Sequence, residues 1–141
     1  MRDRRVVLGL ALVVVLCGAC REASPEASTP RQVARVEPID GTDRVRVILT
    51  EDAERRIELE TTAVTSDGGE LVMPYSAVFY GLDGETWTYT NVEPRTFERA
   101  PITVDRVEDG LAYLSDGPPA GTPVVTVGAA ELFGVESGIG G

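Results

Sequence analysis

The chain has 141 residues, enough for one ordinary domain and not for two. Thirteen arginines and no lysine stand against 23 acids, a formal charge of −10, which excludes the basic stripe that nucleic-acid binding uses to displace counterions from phosphate. Histidine is absent and both cysteines, Cys17 and Cys20, lie close to the N-terminus, so the remainder lacks the commonest near-neutral acid–base group, nucleophilic thiol and zinc ligands.

The N-terminus is a targeting pattern. Arg2, Arg4 and Arg5 precede an apolar run of eleven residues from Val6 to Leu16, and Cys17-Gly18-Ala19-Cys20 follows. A basic start, a short apolar stretch and small residues before a boundary predict a secretory signal peptide over residues 1–19. Eleven residues are too few for a helix to cross a hydrocarbon core of about 30 Å. The ending Gly18-Ala19-Cys20 resembles the lipobox of bacterial lipoproteins, with Cys17 in the place of the usual aliphatic residue. The resemblance implies that Cys20 carries the lipid; a plain signal peptide with Cys20 incidental stays open. Residues 20–32 are rich in Ser, Pro, Glu, Ala and Thr without apolar periodicity, which predicts a flexible linker. The expected place is therefore the extracytoplasmic face of a membrane in the cell envelope, held by lipid. Without residues 1–19 the chain keeps 10 arginines and 22 acids, a net charge of −12.

Beyond Val33 the dominant period is two. Val45, Val47 and Leu49 alternate with Arg44, Arg46 and Ile48, and Ile57, Leu59, Thr61 and Ala63 alternate with Glu58, Glu60 and Thr62. Both patterns predict strands with one face on a core. Between them Thr50-Glu51-Asp52-Ala53-Glu54-Arg55-Arg56 predicts a short helix capped by Thr50. Acids occupy its first turn and arginines its last, and Glu51–Arg55 and Asp52–Arg56 are spaced i, i+4. Leu71-Val72-Met73 runs into Pro74, which shapes a strand junction with Tyr75 extended or entering a short turn. Asp83-Gly84 before Glu85-Thr86-Trp87-Thr88-Tyr89-Thr90 predicts a hairpin. In it Trp87 and Tyr89 face the core and the three threonines face solvent. The pattern then predicts a turn over residues 91–94 and a returning strand over 96–104, with Pro101 at an edge or bulge. Glu108-Asp109-Gly110 turns the chain into a strand from Leu111 to Leu114, a Gly/Pro-rich loop follows, then a strand from Val124 to Val127 and a helical turn from Gly128 to Phe133. The whole predicts an all-β, mainly antiparallel, single compact barrel or sandwich over residues 33–135 with one or two short helical turns, and a disordered Gly-rich tail over 136–141.

Leu71-Val72-Met73-Pro74-Tyr75-Ser76-Ala77-Val78, then the Asp83-Gly84 hairpin with Trp87-Thr88-Tyr89, then Phe97-Glu98-Arg99-Ala100-Pro101-Ile102-Thr103-Val104 are similar, in order, to the V-P-x-S-A-V segment, the hairpin and the F-x-x-R-x-V-x-V strand of periplasmic adaptor subunits of efflux pumps, the membrane fusion proteins of the HlyD type. The stretches Leu114-Ser115-Asp116-Gly117 with Ala120-Gly121-Thr122-Pro123-Val124-Val125, and Gly128-Ala129-Ala130-Glu131-Leu132, resemble the closing strands and ending. The segment from Val47 to Val64 resembles the opening. In full-length adaptors a lipoyl-like domain, a helical hairpin and a barrel intervene between the two halves; here only Thr65-Ser66-Asp67-Gly68-Gly69-Glu70 does. The resemblance thus implies the membrane-proximal β-domain alone, a truncated adaptor-like module docking on the extracytoplasmic part of an inner-membrane transporter of the resistance–nodulation–division (RND) or ABC type.

The residues leave alternatives in view. Trp87, Tyr89, Phe79 and Tyr80 could form a ligand platform, but alternation from strands places them more simply in a core. Asp105, Glu108, Asp109 and Asp116 could cluster around calcium, though solvated loop acids are the default. Ser76 has no histidine to activate it and does not sit on a nucleophile elbow. The expectation is a non-enzyme without catalytic residues, cofactor or metal, and with no nucleic-acid partner. The competing function is an extracytoplasmic lipoprotein that binds a small ligand or ion without a transporter.

Overall fold

A computed structural model describes residues 32–138. Cys20, the signal peptide, most of the linker and the last three glycine-rich positions lie outside the described residues. Strand β1 (Ala34–Pro38) pairs with β2 (Val45–Leu49), which buries Val47 and Leu49 as the alternation predicts. Helix α1 (Glu51–Arg56) starts where Thr50 Oγ1 accepts the Ala53 N–H at 3.2 Å. Arg55 then closes on Glu51 at 2.6 Å and also on Asp52, an i, i+3 partner where the spacing predicted Arg56.

The next strand begins later than alternation suggests. Ile57 caps α1 and Glu58 takes a left-handed φ of 51°, so only β3 (Glu60–Ala63) is extended. Ile57 and Leu59 still reach the core, but from the helix exit. The six residues from Thr65 to Glu70 are not a plain link. They begin β4 (Thr65–Asp67) and β5 (Glu70–Pro74), which pair as a hairpin through Gly68 and Gly69 at φ 58° and 91°. Two successive positive φ values are what a type I′ turn requires, and glycine reaches them without a Cβ clash.

A 3-10 turn over Tyr75–Ala77 leads to β6 (Phe79–Tyr80), the hairpin partner of β7 (Thr86–Glu93). Strand β7 runs through the predicted turn at residues 91–93, and the reversal falls at Pro94-Arg95 before β8 (Thr96–Pro101). The predicted single strand over 96–104 breaks at Ile102, after which β9 (Thr103–Glu108) begins. β10 (Leu111–Asp116), β11 (Pro123–Val127) and α2 (Ala129–Glu136) complete the fold. The last helix extends one turn past Phe133 and takes in Glu136, which the sequence pattern puts in the tail.

All ladders are antiparallel. One sheet has the order β1-β2-β8-β7-β11-β3 with β6 added on β7; the other is β4-β5-β10-β9. The chain passes from the first sheet to the second at two residues, Val64 and Ile102, and both are buried. Val64 donates its N–H to Thr122 O at 2.9 Å and accepts from Gly121 N at 2.8 Å. Ile102 donates to Thr86 O at 3.1 Å, and its carbonyl accepts from Thr86 Oγ1 at 2.7 Å. Pro101, with no N–H to give, ends the ladder opposite Trp87.

Two cores follow. The first joins Val47, Leu49, Tyr89, Phe97, Val125 and Leu132 beneath the helices; the second joins Val64, Met73, Ala77, Ile102, Leu114 and Val124 between the sheets. Neighbours Val124 and Val125 serve opposite cores, as strand alternation dictates. Strand β7 is covered on both faces. The threonines expected in solvent are instead inside: Thr88 is 0% and Thr90 7% exposed. Thr90 Oγ1 donates to Glu98 O at 3.1 Å, whereas Thr88 Oγ1 has no partner. A buried hydroxyl without a partner costs about 1–3 kcal/mol of desolvation. Thr88→Val keeps the shape and removes the hydroxyl, so thermal unfolding should move up by several degrees, since 1 kcal/mol is worth about 4–8 °C in a domain of this size. A lowered midpoint would show that Thr88 is bonded.

Candidate functional site

Strand β7 carries its aromatic residues on the face toward α2, but they share the burial unequally. Tyr89 is fully buried and stacks on Phe79, with ring centroids 4.9 Å apart and planes 8° from parallel. Trp87 is only half-buried and lies under the guanidinium of Arg99, whose Cζ is 4.4 Å from the ring centroid. Tyr80, expected in the core, is 59% exposed, because it is the residue of two-residue β6 that turns away from Phe79.

Arg99 belongs to β8 and sits opposite Tyr89 in register, so both side chains rise toward the C-terminal end of α2. There Glu136 accepts from Tyr89 Oη at 2.5 Å through Oε2 and meets Arg99 Nη2 at 3.1 Å through Oε1. A carboxylate at a helix C-terminus opposes the dipole, and α2 has no basic residue in its last turn. Arg99 supplies the missing positive charge from the sheet. The pair is largely withdrawn from water, with side-chain exposures of 21% for Arg99 and 9% for Glu136. Burial, and then the bond to Glu136, push the Tyr89 hydroxyl far above the usual phenol range.

This cluster floors an open cleft of about 310 Å³ lined by Leu82, Asp83, Arg99, Phe133, Glu136 and Ser137. The loop between β6 and β7 forms its other wall. A Cβ on Gly81 would come within 2.9 Å of Asp83 Oδ1 and 3.1 Å of Trp87 Nε1, so a larger residue there would make the carboxylate and the indole shift. Trp87 Nε1 and Arg99 Nε are buried donors without partners. Chemically, the cleft offers carboxylate acceptors at two depths and an apolar wall, with no nucleophile–base pair among its lining residues.

The residues singled out in the sequence scatter. Asp105 and Glu108 lie on β9, Asp109 in the following turn and Asp116 at the end of β10. Among the described residues no three acids, cysteines or histidines gather in a metal-holding group. Ser76 is exposed in the 3-10 turn, beside a second cleft that also involves Phe79, Tyr80 and the start of α2. Cys20 lies outside the described residues. Arg99 and Glu136 were not legible as a pair, because they come from different elements far apart in the chain. The signal that points to them is an acid closing a helix that has no basic residue of its own.

No family model, curated protein or solved structure matches this chain. The site is therefore characterised by its own geometry.

The Tyr89 bond has a pH signature. Its hydroxyl titrates higher in the folded than in the unfolded chain, where a phenol ionises near pH 10. The stabilisation is thus whole below about pH 10 and is lost as pH rises further and the unfolded state ionises. Chemical denaturation of the wild-type protein should show stability falling above that pH, with a shallower fall in Tyr89→Phe. Equal slopes would mean that Tyr89 is not held neutral by the fold.

Proposed function

We propose that this protein is a non-catalytic accessory module of the cell envelope, held by a lipid on Cys20 and docked on the extracytoplasmic part of an inner-membrane exporter of the RND or ABC type. The observation that carries the reading is how the two adaptor-like halves meet. The segment ending at Val64 and the segment starting at Leu71 enter one two-sheet domain. They are joined by the Gly68-Gly69 turn, where full-length adaptors place their further domains. Strand β8, with the F-x-x-R pattern, lies next to β7 and passes at Ile102 into the second sheet, so the similar pieces belong to one continuous body.

Anchoring and acidity support the same reading. Among the described residues no helix is long and apolar enough to cross a membrane. Without residues 1–19 the net charge is −12, which repels an anionic lipid surface, so attachment through Cys20 supplies membrane contact that the domain surface does not. One acyl chain gives only marginal binding, which calls for the di- or triacylated form. Mass spectrometry of the N-terminal peptide should find acylated Cys20, and a different, unmodified N-terminus would remove the anchor. Crosslinking in the native envelope should then recover an exporter subunit with the protein.

The cleft over Arg99 and Glu136 favours a second reading, capture of a small ligand by a lipoprotein without a transporter partner. Recovery of no membrane protein, together with ligand-dependent quenching of Trp87 fluorescence, would favour capture over docking.

A further inference from the structure

We propose that β3 is an interaction edge on which a second copy of the chain lays its own β3, antiparallel and centred on Thr62. The inference goes beyond the docking role proposed above and does not depend on it.

Strand β3 ends its sheet: it pairs with β11 on one side and, among the described residues, with no strand on the other. Glu60, Thr61, Thr62 and Ala63 are all exposed. Which backbone groups face the open side follows from Val64. Its N–H and carbonyl both point inward, the first donating to Thr122 O at 2.9 Å and the second accepting the Gly121 N–H at 2.8 Å. Backbone direction alternates along an antiparallel strand, so Thr62 also turns inward, to its register partner Val124. The N–H and C=O of Thr61 and Ala63 therefore turn outward. Pro123 fits this phase, since it lies opposite Ala63, where the ladder asks no N–H of it.

Such an edge is normally guarded by charge, proline, a bulge or extreme shortness. Strand β1 has the Arg35–Glu37 ion pair at 2.8 Å and Pro38. Strand β9 has Asp105, Arg106 and Glu108, with a break in register between Val104 and Arg106. Strand β4 has three residues and β6 two. The stretch Thr61-Thr62-Ala63 carries no charge and no proline, and threonine favours strands.

Symmetry selects the occupant. With Thr62 on a two-fold axis, Thr61 of each copy faces Ala63 of the other, and the outward N–H and C=O of both residues are satisfied. The two Thr62 side chains meet at the closely spaced position of the ladder, where a threonine pair is favourable. Charge permits this register. Glu60 faces Val64 of the other copy, and the two Glu60 residues lie about 14 Å apart along the strands, beyond a Debye length of about 8 Å. A foreign strand would find only small uncharged side chains to select it, whereas a second β3 matches them by register.

The test places cysteine at position 62 or 61 of the full chain in its native cells, followed by a mild oxidant. The unsubstituted chain sets the background from Cys17 and Cys20. In the proposed register the two Cα atoms at position 62 are about 4.5 Å apart, within disulfide reach, and those at position 61 about 8 Å, outside it. Thr62→Cys should therefore give a dimer linked through position 62, in roughly tenfold higher yield than Thr61→Cys. Adding Ala63→Pro or Thr61→Pro removes an outward N–H that the chain's own ladder does not use. Each should lower the Thr62→Cys yield severalfold while the unfolding midpoint holds. Equal yields from positions 61 and 62, or a yield indifferent to both proline variants, would overturn the pairing. Mixed disulfides from position 62 with another protein would overturn the second copy as occupant, and no linked species above background would overturn the proposal.

Discussion

Two residues, Val64 and Ile102, must leave one sheet and enter the other without losing a backbone hydrogen bond. A buried peptide group without a partner is costly, so a strand can turn a corner only where neighbours accept and donate for it. At Val64 the partners are Gly121 and Thr122, just before β11; at Ile102 they are the backbone and hydroxyl of Thr86 at the start of β7. Both side chains then lie in the same inter-sheet core with Met73, Leu114 and Val124. Strand order, the break after Pro101 and double-sided burial of β7 all follow from these corners.

The first core depends on them less directly. Once β8 and β7 are aligned by Ile102, Arg99 stands opposite Tyr89 and both reach Glu136. Helix α2 is fastened at both ends: at its start by Ala129, which packs on the first core with Ile57 and Leu59, and at its finish by a shielded ion pair and the Tyr89 hydroxyl bond. A strongly acidic chain gains from placing one of its arginines where it offsets both a carboxylate and a helix terminus.

Local chemistry was legible where it decides the outcome alone. Thr50 before an acid-to-arginine gradient specifies α1, and Asp83-Gly84 specifies the β6–β7 turn. Alternation also conveyed an all-β antiparallel domain. It failed where burial on the second face depends on distant strands. Thr86-Trp87-Thr88-Tyr89-Thr90 carries the pattern of a half-exposed strand, yet the second sheet covers its threonines. The same limit hid the site: Arg99 and Glu136 meet only because register brings β8 beneath the end of α2. Over Ile57 to Ala63 the alternation holds as a strand only from Glu60, since the apolar residues at the exit of α1 continue the strand period by coincidence of spacing.

The hairpin at Gly68-Gly69 has an architectural consequence. Asp67 and Glu70 are register partners, so the chain leaves and re-enters the body at points about 5 Å apart. Any folded unit whose own ends lie side by side could be spliced between them while β4 and β5 remain paired. The entropy of closing the loop grows only as the logarithm of its length, so a large insert costs little more than a modest one. The turn is a socket: the body is complete with it shut, and its ladder does not depend on what the socket holds.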